Sequence, residues 1–400
     1  MTTQSTRSPW KRTSLLFLGH FLNDGFASFY APLLPLLIDR LDLSLTFAGL
    51  LATVRIVSNS LIQPGLGYIV DRAQRPFLVI LGPILTVTAM AFIGRAERVW
   101  QLLVIMLVAG LGTAMFHPAG AALAVAGNAN RRGLIMAFFS SGGTLGGAVA
   151  PLAIVSFTHT FGLARTPWLL LAGLAIVLAF ALPLRRELPD PVRTSHEAFR
   201  FRTLPPRLIR LWFVIVLSAM CNTAFSSFLA VLVVERGGSA FAGGATISVF
   251  LLLGAIAGFL AGHLSDRFGR KAVIIASLAL TTPLLLAFLH GPVSLLLPFV
   301  AGAGFFGFSS VPVGVVAAQE MLPGRTGLVS GLVMGLAWGV GGLALTPIGW
   351  LADHLGIVPV MSVVALLPIA AALLMAFDKE SVSKPLRESL STVQESNEAR

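Results

Sequence analysis

Residues 15–37 read LLFLGHFLNDGFASFYAPLLPLL, an apolar run that carries His20, Asn23 and Asp24 in its first half. As a helix rising 1.5 Å per residue, the run reaches about 34 Å, which is enough to cross a bilayer. An ionisable residue at such depth is costly unless it has a partner or a water-filled cavity. His20 and Asp24 are four residues apart and therefore share one helical face, and we expect the function to lie on that face.

The composition is that of a polytopic membrane protein. Hydrophobic residues fill 56% of the 400 positions and charged residues 11%, which is more apolar surface than a soluble fold can bury. The formal net charge of +11 could indicate nucleic-acid binding, but the basic residues stand in short loops and no aromatic-flanked basic patch occurs. We therefore expect no nucleic-acid partner. The single cysteine, Cys221, excludes an intramolecular disulfide and a cysteine-based metal site.

Eleven further apolar segments follow the first, and each is long enough to span a membrane. They cover about residues 48–69, 77–95, 100–122, 133–158, 167–184, 209–234, 243–264, 272–289, 293–317, 327–350 and 356–376. We predict an all-α membrane protein with twelve transmembrane helices in two six-helix bundles. The predicted parts are an N-terminal bundle at 1–186, a cytoplasmic linker at 187–208, a C-terminal bundle at 209–377 and a polar cytoplasmic tail at 378–400.

The distribution of Lys and Arg predicts the orientation of the chain. With the N-terminus inside, the inner segments hold 22 of the 28 basic residues and the outer loops hold five, while Arg55 lies within a span. Because basic loops stay on the cytoplasmic side, both termini are expected in the cytoplasm. We expect a multi-pass protein of the bacterial cytoplasmic membrane that is surrounded by lipid bilayer and is a monomer.

The two halves of the chain repeat one another. Residues 23–31, NDGFASFYA, align with residues 222–230, NTAFSSFLA. Three more matches pair GYIVDRAQR at 67–75 with GHLSDRFGR at 262–270, GLG at 110–112 with GAG at 302–304, and RRGL at 131–134 with RTGL at 325–328. All four offsets fall between 192 and 199 residues. A parallel repeat of this kind is typical of transporters whose halves rock about a central site.

A family resemblance rests on several motifs. The loop GHLSDRFGRK at 262–271 resembles the signature that major facilitator superfamily transporters carry between helices 2 and 3 and again between helices 8 and 9. The first copy departs from it, with Gln74 at the usual glycine and Pro76 at a usual basic position. Within the superfamily, the chain resembles the fosmidomycin resistance proteins. That resemblance lies in GHFLND at 19–24, FHP at 116–118, and a stretch from QEMLPGRTGLVSGL at 319–332 to WLADH at 350–354.

Charged residues around these two loops are candidates for an inner gate. A carboxylate beside a helix end, as expected for Asp71 and Asp266, is stabilised by unpaired amide groups and by the helix dipole. A cluster of this kind latches the gate in one state and breaks in the other. The alternative is that these charges only fix topology. The candidate gating residues are Asp71, Arg72, Arg75, Asp266, Arg267, Arg270, Glu320 and Arg325.

Proton coupling is the function that we expect of Asp24. It lies about 15 Å from the cytoplasmic end of its helix, near the midplane, where a carboxylate can load and release a proton as access alternates. The structural alternative is a permanent pair with Arg55, although pairing in one state only would itself switch the proton affinity. His20 and His117 are expected at similar depth, as proton relays or as hydrogen-bonded interfacial residues.

The equivalent helix of the second half carries no ionisable group, so the halves have specialised. We predict a substrate cavity lined by Asn23, Phe26, Asn222, Phe225 and Ser226, with core packing as the alternative for the phenylalanines. Small residues at 140–151 and 335–342 permit close helix packing. The first of these stretches also resembles, loosely, the glycine–proline signature of antiporters, which slightly favours export.

Enzymatic activity is not expected, because the chain has no HExxH, GxSxG, Walker or CxxC motif. We expect no cofactor and no metal. The leading hypothesis is a proton-coupled antiporter that exports a small anionic or amphiphilic compound, such as a fosmidomycin-like drug, by alternating access. The alternatives are a proton-coupled importer of a small metabolite and a non-transport sensor of the same fold.

Overall fold

Helices that run back and forth through one bundle make up the described part of the chain. A computed structural model gives the structure of residues 9–73, 77–126, 132–187, 204–322 and 329–377. The α-helices are α1 (Pro9–Ala27), α2 (Tyr30–Leu41), α3 (Leu45–Ala73), α4 (Leu78–Ala91), α5 (Val99–Val125), α6 (Arg132–Phe161), α7 (Trp168–Leu184), α8 (Pro206–Glu235), α9 (Ala240–Phe268), α10 (Arg270–His290), α11 (Leu296–Met321), α12 (Ala337–Leu343), α13 (Leu345–Leu355), α14 (Ile357–Val364) and α15 (Leu367–Ala376). A π-helical turn, Gly331–Leu336, precedes α12, and no β-strand occurs within these ranges.

Twelve helical stretches are long and apolar enough to cross a membrane, which confirms the predicted number of spans and the all-α class. Nine spans are formed around single helices, α3 to α11. The first, Trp10–Leu41, combines α1 and α2; the eleventh, Gly331–Leu355, combines the π-helical turn with α12 and α13; the twelfth, Ile357–Ala376, combines α14 and α15. Most of the predicted linker and all of the predicted tail lie outside the described residues.

Proline explains where the composite spans break. A proline has no N–H to bond the carbonyl four residues earlier, and its ring clashes with that carbonyl. The breaks have this spacing, since Pro32 follows Ser28, Pro347 follows Leu343 and Pro368 follows Val364, each by four residues. At the first break, the carbonyl oxygen of Asp24 accepts hydrogen bonds from the N–H of Ser28 at 3.1 Å and from its hydroxyl at 2.8 Å. The helix that carries Asp24 therefore ends three residues after it.

The two halves are joined at one face of the bundle. An even number of spans places both ends of the described chain on one side, and we call the opposite side the far face. There Asp353 in α13 accepts from the N–H groups of Leu45 and Thr46 at 2.7 and 2.9 Å, and from the Thr46 hydroxyl at 2.5 Å. The carboxylate caps the first turn of α3, whose N–H groups have no partner within the helix.

Two glycines let α3 and α13 touch at the far face. A Cβ atom on Gly49 would lie 2.1 Å from the carbonyl oxygen of Leu345, and a Cβ atom on Gly349 would lie 2.1 Å from that of Leu45. Any side chain at either position would push the helices apart. The far face is therefore closed by direct backbone contact between the halves.

The break in the first span divides it between the halves. α1 packs against α4, α5, α6 and α7 of the N-terminal half, whereas α2 packs mainly against α8 and α9 of the C-terminal half. A second connection joins α6 to α9, where the N–H of Leu152 donates to the Ser248 hydroxyl at 3.0 Å. The first span thus packs against both halves of the protein.

Replacing Gly349 by Val is expected to open the far face. Overpacking of this kind typically costs about 1–3 kcal/mol, and the cost falls on the closed state because the clash is with α3. Spin labels at Trp100 and Val293, which are exposed on the two halves, should report a longer distance by double electron–electron resonance. Gly262→Val is the matched control, since no atom lies within 4 Å of a Cβ there. An unchanged distance in Gly349→Val would show that this contact does not hold the face closed.

Candidate functional site

Asp24, His20 and His117 converge as the sequence predicted. Asp24 Oδ1 lies 3.0 Å from His117 Nε2, and Asp24 Oδ2 lies 3.2 Å from His20 Nε2. The two imidazole ring centres are 5.0 Å apart. Asn23 Nδ2 donates a further hydrogen bond to Asp24 Oδ1 at 3.0 Å. We call these three ionisable residues the His–Asp–His cluster.

The cluster lies midway through the bundle and keeps some accessible surface. Asp24 is near the middle of the span Trp10–Leu41, yet 25% of its side chain and 28% of that of His117 are exposed. The carboxylate and one imidazole are therefore accessible although they lie deep within the bundle.

Three helices position the cluster. The spacing of four residues puts His20 and Asp24 on one face of α1, and α5 brings in His117. From α6, the carbonyl of Phe139 lies 2.9 Å from His20 Nδ1, and its ring stacks on the imidazole with centres 4.4 Å apart. A Cβ on Gly143 of α6 would lie 2.3 Å from His20 Nε2 and 2.6 Å from Asp24 Oδ2, so only glycine leaves room there.

The hydrogen-bond partners assign the protons of the cluster. Since a carbonyl only accepts, His20 Nδ1 carries a hydrogen and donates it to Phe139. The His20 Nε2 and Asp24 Oδ2 atoms then face each other as two acceptors unless one proton lies between them. His117 needs no such proton, because its Nδ1 faces the amide nitrogen of Gln63 at 3.3 Å and accepts, leaving Nε2–H to donate to Asp24. The arrangement thus has a place for one proton between His20 Nε2 and Asp24 Oδ2, which are 3.2 Å apart.

Two cluster neighbours were missed by the sequence reasoning. Gln63 contacts His117 and donates to Asn59 Oδ1 at 2.8 Å, so the polar chain continues along α3. Arg55, Asn59 and Gln63 are spaced by four residues and form one stripe of the helix. That spacing of polar residues in an apolar span was the available signal.

Arg55 does not pair with Asp24 in this structure. Its Nε is buried without a hydrogen-bond partner, and among the described residues no carboxylate lies within ion-pair distance, 4.0 Å, of its guanidinium. Arg55 still lies within electrostatic reach of Asp24 and of the Tyr30 hydroxyl, which donates instead to the carbonyl of Ala48 at 2.7 Å. The Asp24 carboxylate thus interacts with two histidines, and the Arg55 guanidinium has no ion-pair partner among the described residues.

The predicted substrate-cavity residues are mostly packed inside. Asn23 and Phe225 are fully buried, and Phe26 is 7% exposed. Asn222 is also buried and donates to the carbonyl of Gly307 at 3.1 Å. Ser226 is partly exposed. Packing therefore accounts for the positions of the two phenylalanines in this conformation.

The candidate gating residues fall into two groups. Arg270 lies 2.5 Å from Asp266 and 3.2 Å from Glu320, which ties α9 and α10 to the end of α11 within the C-terminal half. Arg267 lies over the ring of Phe268, 5.4 Å from its centre. Arg75 and Arg325, and the side chains of Asp71 and Arg72, lie outside what the structure describes.

The cluster also has the spacing of a metal site. The nitrogen and oxygen atoms of His20, Asp24 and His117 lie within 4.8 Å of one another, and imidazole with carboxylate is a common ligand set for transition metals. The hydrogen bonds described above account for the same spacing with protons alone.

The fold and the accessible cluster define a twelve-span membrane transporter. The chain belongs to the Major Facilitator Superfamily, whose sequence pattern it matches over residues 16–346. The predicted fold and family are confirmed, and this family consists of transporters, not enzymes.

Two of the relatives are named as drug-resistance proteins. The chain is 28% identical to the fosmidomycin resistance protein of Escherichia coli K12, covering 93% of this chain and 94% of that one. It is 30% identical to the MFS-type transporter YfnC of Bacillus subtilis, over 90% and 91% of the two chains. The multidrug resistance protein MdtG of Yersinia enterocolitica is 25% identical over 76% of this chain and 78% of its own length.

A solved structure shares the fold. It is a bacterial homolog of the human lysosomal transporter Spinster in an inward-facing and unoccupied conformation, with a TM-score of 0.75 and 16% identity over 93% of this chain and 97% of that one. At this identity the match supports the architecture alone.

Replacing Gly143 by Ala is expected to displace the His20 and Asp24 side chains, because the added methyl would occupy their space. Histidine nitrogen NMR on labelled protein should show shifted signals for His20 and His117. Gly147→Ala is the matched control on the same helix, since its Cβ would meet only the Ser28 hydroxyl at 3.5 Å. Equal spectra for Gly143→Ala and wild type would contradict the assigned geometry.

Proposed function

We propose that this chain is a proton-coupled secondary transporter that exports a small anionic or amphiphilic compound by alternating access. It acts as a multi-pass protein of the bacterial cytoplasmic membrane, with both termini in the cytoplasm and as a monomer. The observation that carries the proposal is the His–Asp–His cluster, in which two imidazole nitrogens lie 3.0 and 3.2 Å from the two oxygens of Asp24 near the middle of a span.

The cluster is suited to proton coupling for two reasons. In the spans that the structure describes, Asp24 is the only acidic residue near the middle, so a membrane-crossing proton has one carboxylate there to use. Imidazoles titrate near neutral pH and can pass a proton between the carboxylate and water. His20 and His117 therefore act as relays, and the exposed part of His117 is the entry point.

Two of the relatives support export as the direction of transport, since they are named for resistance to fosmidomycin and to multiple drugs. Export against a gradient by antiport requires that the substrate and the proton exclude one another from the cavity. The second candidate is import by proton symport, and the unneutralised charge of Arg55 is the observation that favours it.

The charged residues near the termini act as a gate in this proposal. Arg270 holds Asp266 and Glu320 together, so it fixes the ends of α9, α10 and α11 as one body. Such a fixed end lets the C-terminal half move as a unit when access alternates.

Asp24→Asn is expected to abolish gradient-driven transport, because the amide cannot release a proton. In everted vesicles with an imposed proton gradient, fosmidomycin should cause proton movement with wild type and none with the variant. Asp39→Asn, an exposed carboxylate at the far end of α2, is the matched control. A chelator should leave the wild-type pH profile unchanged, since no metal is required. Full gradient-driven transport by Asp24→Asn would refute the proton site.

Arg270→Gln is expected to slow transport several-fold without shifting its pH profile, because it frees the helix ends and leaves the cluster untouched. Arg267→Gln is the comparison. It removes the same charge about one turn away, where the guanidinium contacts only the Phe268 ring among the interactions described. Initial rates across a pH series check both. Equal rates for wild type and Arg270→Gln would remove Arg270 from the gate.

A further inference from the structure

The charges in the middle of the N-terminal half do not balance. With one proton between His20 and Asp24, the His–Asp–His cluster is neutral, since the proton offsets the one carboxylate. Arg55 adds a positive charge that cannot be lost by deprotonation at any physiological pH. No other acidic residue lies near the middle of a span that the structure describes. The proton-loaded site therefore carries a net charge of about +1 within the membrane.

The guanidinium of Arg55 is available for a ligand. Neither a carboxylate within ion-pair distance nor a partner for Nε was found for it among the described residues. The two oxygens of Asp24 are already taken by His20 and by His117 with Asn23. A buried guanidinium without a counter-ion is costly, so a bound anion would be stabilised there.

The surroundings of Arg55 supply the rest of an anion site. Its stripe of α3 continues with Asn59, whose amide nitrogen can donate hydrogen bonds, and then with Gln63, whose two N–H groups already point at Asn59 and His117. The opposite side of the helix is occupied, since Thr53 donates to the carbonyl of Gly342 at 2.9 Å in the other half. The stripe with Arg55 thus faces the cluster rather than the helix contact.

We propose that Arg55 anchors the anionic group of the transported compound, and that this anion and the proton of the His–Asp–His cluster bind together. The planar guanidinium matches the paired oxygens of a phosphonate, phosphate, sulfonate or carboxylate. This step rests on the proposed proton site and names the substrate class for it.

The sign of the coupling follows from the charges. When the proton leaves, Asp24 becomes the counter-ion of Arg55 and competes with the ligand for it. When the proton is bound, Arg55 is free for the ligand. Since linkage is reciprocal, the anion raises proton affinity as the proton raises anion affinity. An anionic cargo bound at Arg55 therefore crosses together with the proton, which supports the second candidate, import by proton symport. Export by antiport is then left to an amphiphilic cargo without an anionic group.

Binding measurements on the full chain in nanodiscs test this. The probes are fosmidomycin, inorganic phosphate and sulfate, with tetramethylammonium as the cationic control. Wild type should bind at least one anion at up to millimolar concentration, more tightly at acidic than at alkaline pH. Arg55→Gln should weaken binding about 10- to 100-fold, the usual loss for a charge-assisted bidentate contact. Arg55→Lys should lose less affinity for the anion, because lysine keeps the positive charge although it lacks the planar, paired N–H donors.

Two further variants separate this proposal from the proton site. Asp24→Asn should bind the anion with little pH dependence, because it mimics the protonated carboxyl. Arg165→Gln, which removes an exposed guanidinium that bonds the Phe161 carbonyl at 2.9 Å, should bind like wild type.

The proposal is overturned if no anionic probe binds wild type, if Arg55→Gln binds like wild type, or if binding tightens as pH rises. If proton-driven transport requires Asp24 but anion binding does not depend on Arg55, the proton site is supported and the anion site is refuted. Arg55-dependent binding with no pH dependence in wild type would keep the anion site and overturn its link to the proton.

Discussion

A carboxylate in the middle of a membrane has to be neutralised, and the N-terminal half is built around doing this for Asp24. Two imidazoles from α1 and α5 face its two oxygens, and α6 brings a carbonyl and a glycine to hold His20 in place. An isolated charge is unfavourable in a medium of low dielectric constant. The protonation state of each of these groups therefore depends on that of its neighbours. The positions of the surrounding helices follow from this small polar group.

The two halves use polar groups in different ways. Beyond the cluster, the N-terminal half keeps a charged residue on α3, whereas the described middle of the C-terminal half carries amides and hydroxyls that are bonded to helix carbonyls, as with Asn222 and Thr223. Its charges stand at the ends of its helices, at Asp353 on the far face and at Arg270 near the termini. The deep charged groups therefore stand in the N-terminal half, and the described charges of the C-terminal half stand at its helix ends.

Much of this was readable from the sequence. Membrane length, the parallel repeat and the spacing of His20 and Asp24 predicted the spans and the first two members of the cluster, because these depend on local periodicity. The place of His117 came from family resemblance. The absence of an Arg55–Asp24 pair and the cap that Asp353 provides could not be predicted, because both depend on distances between helices that are far apart in sequence. Gln63 could have been found from its spacing of four and eight residues from Asn59 and Arg55, but its contact with His117 again depends on how α3 and α5 pack.

The broken first span has a mechanical consequence. Its first helix, α1, packs against the N-terminal half, and its second helix, α2, packs mainly against the C-terminal half. Between them, Ser28 donates hydrogen bonds to the carbonyl of Asp24. Separation of the halves at the far face has to bend the backbone at Ser28, and the bend acts on the last turn of α1. Any separation of the halves there therefore changes the backbone next to the turn of α1 that carries Asp24.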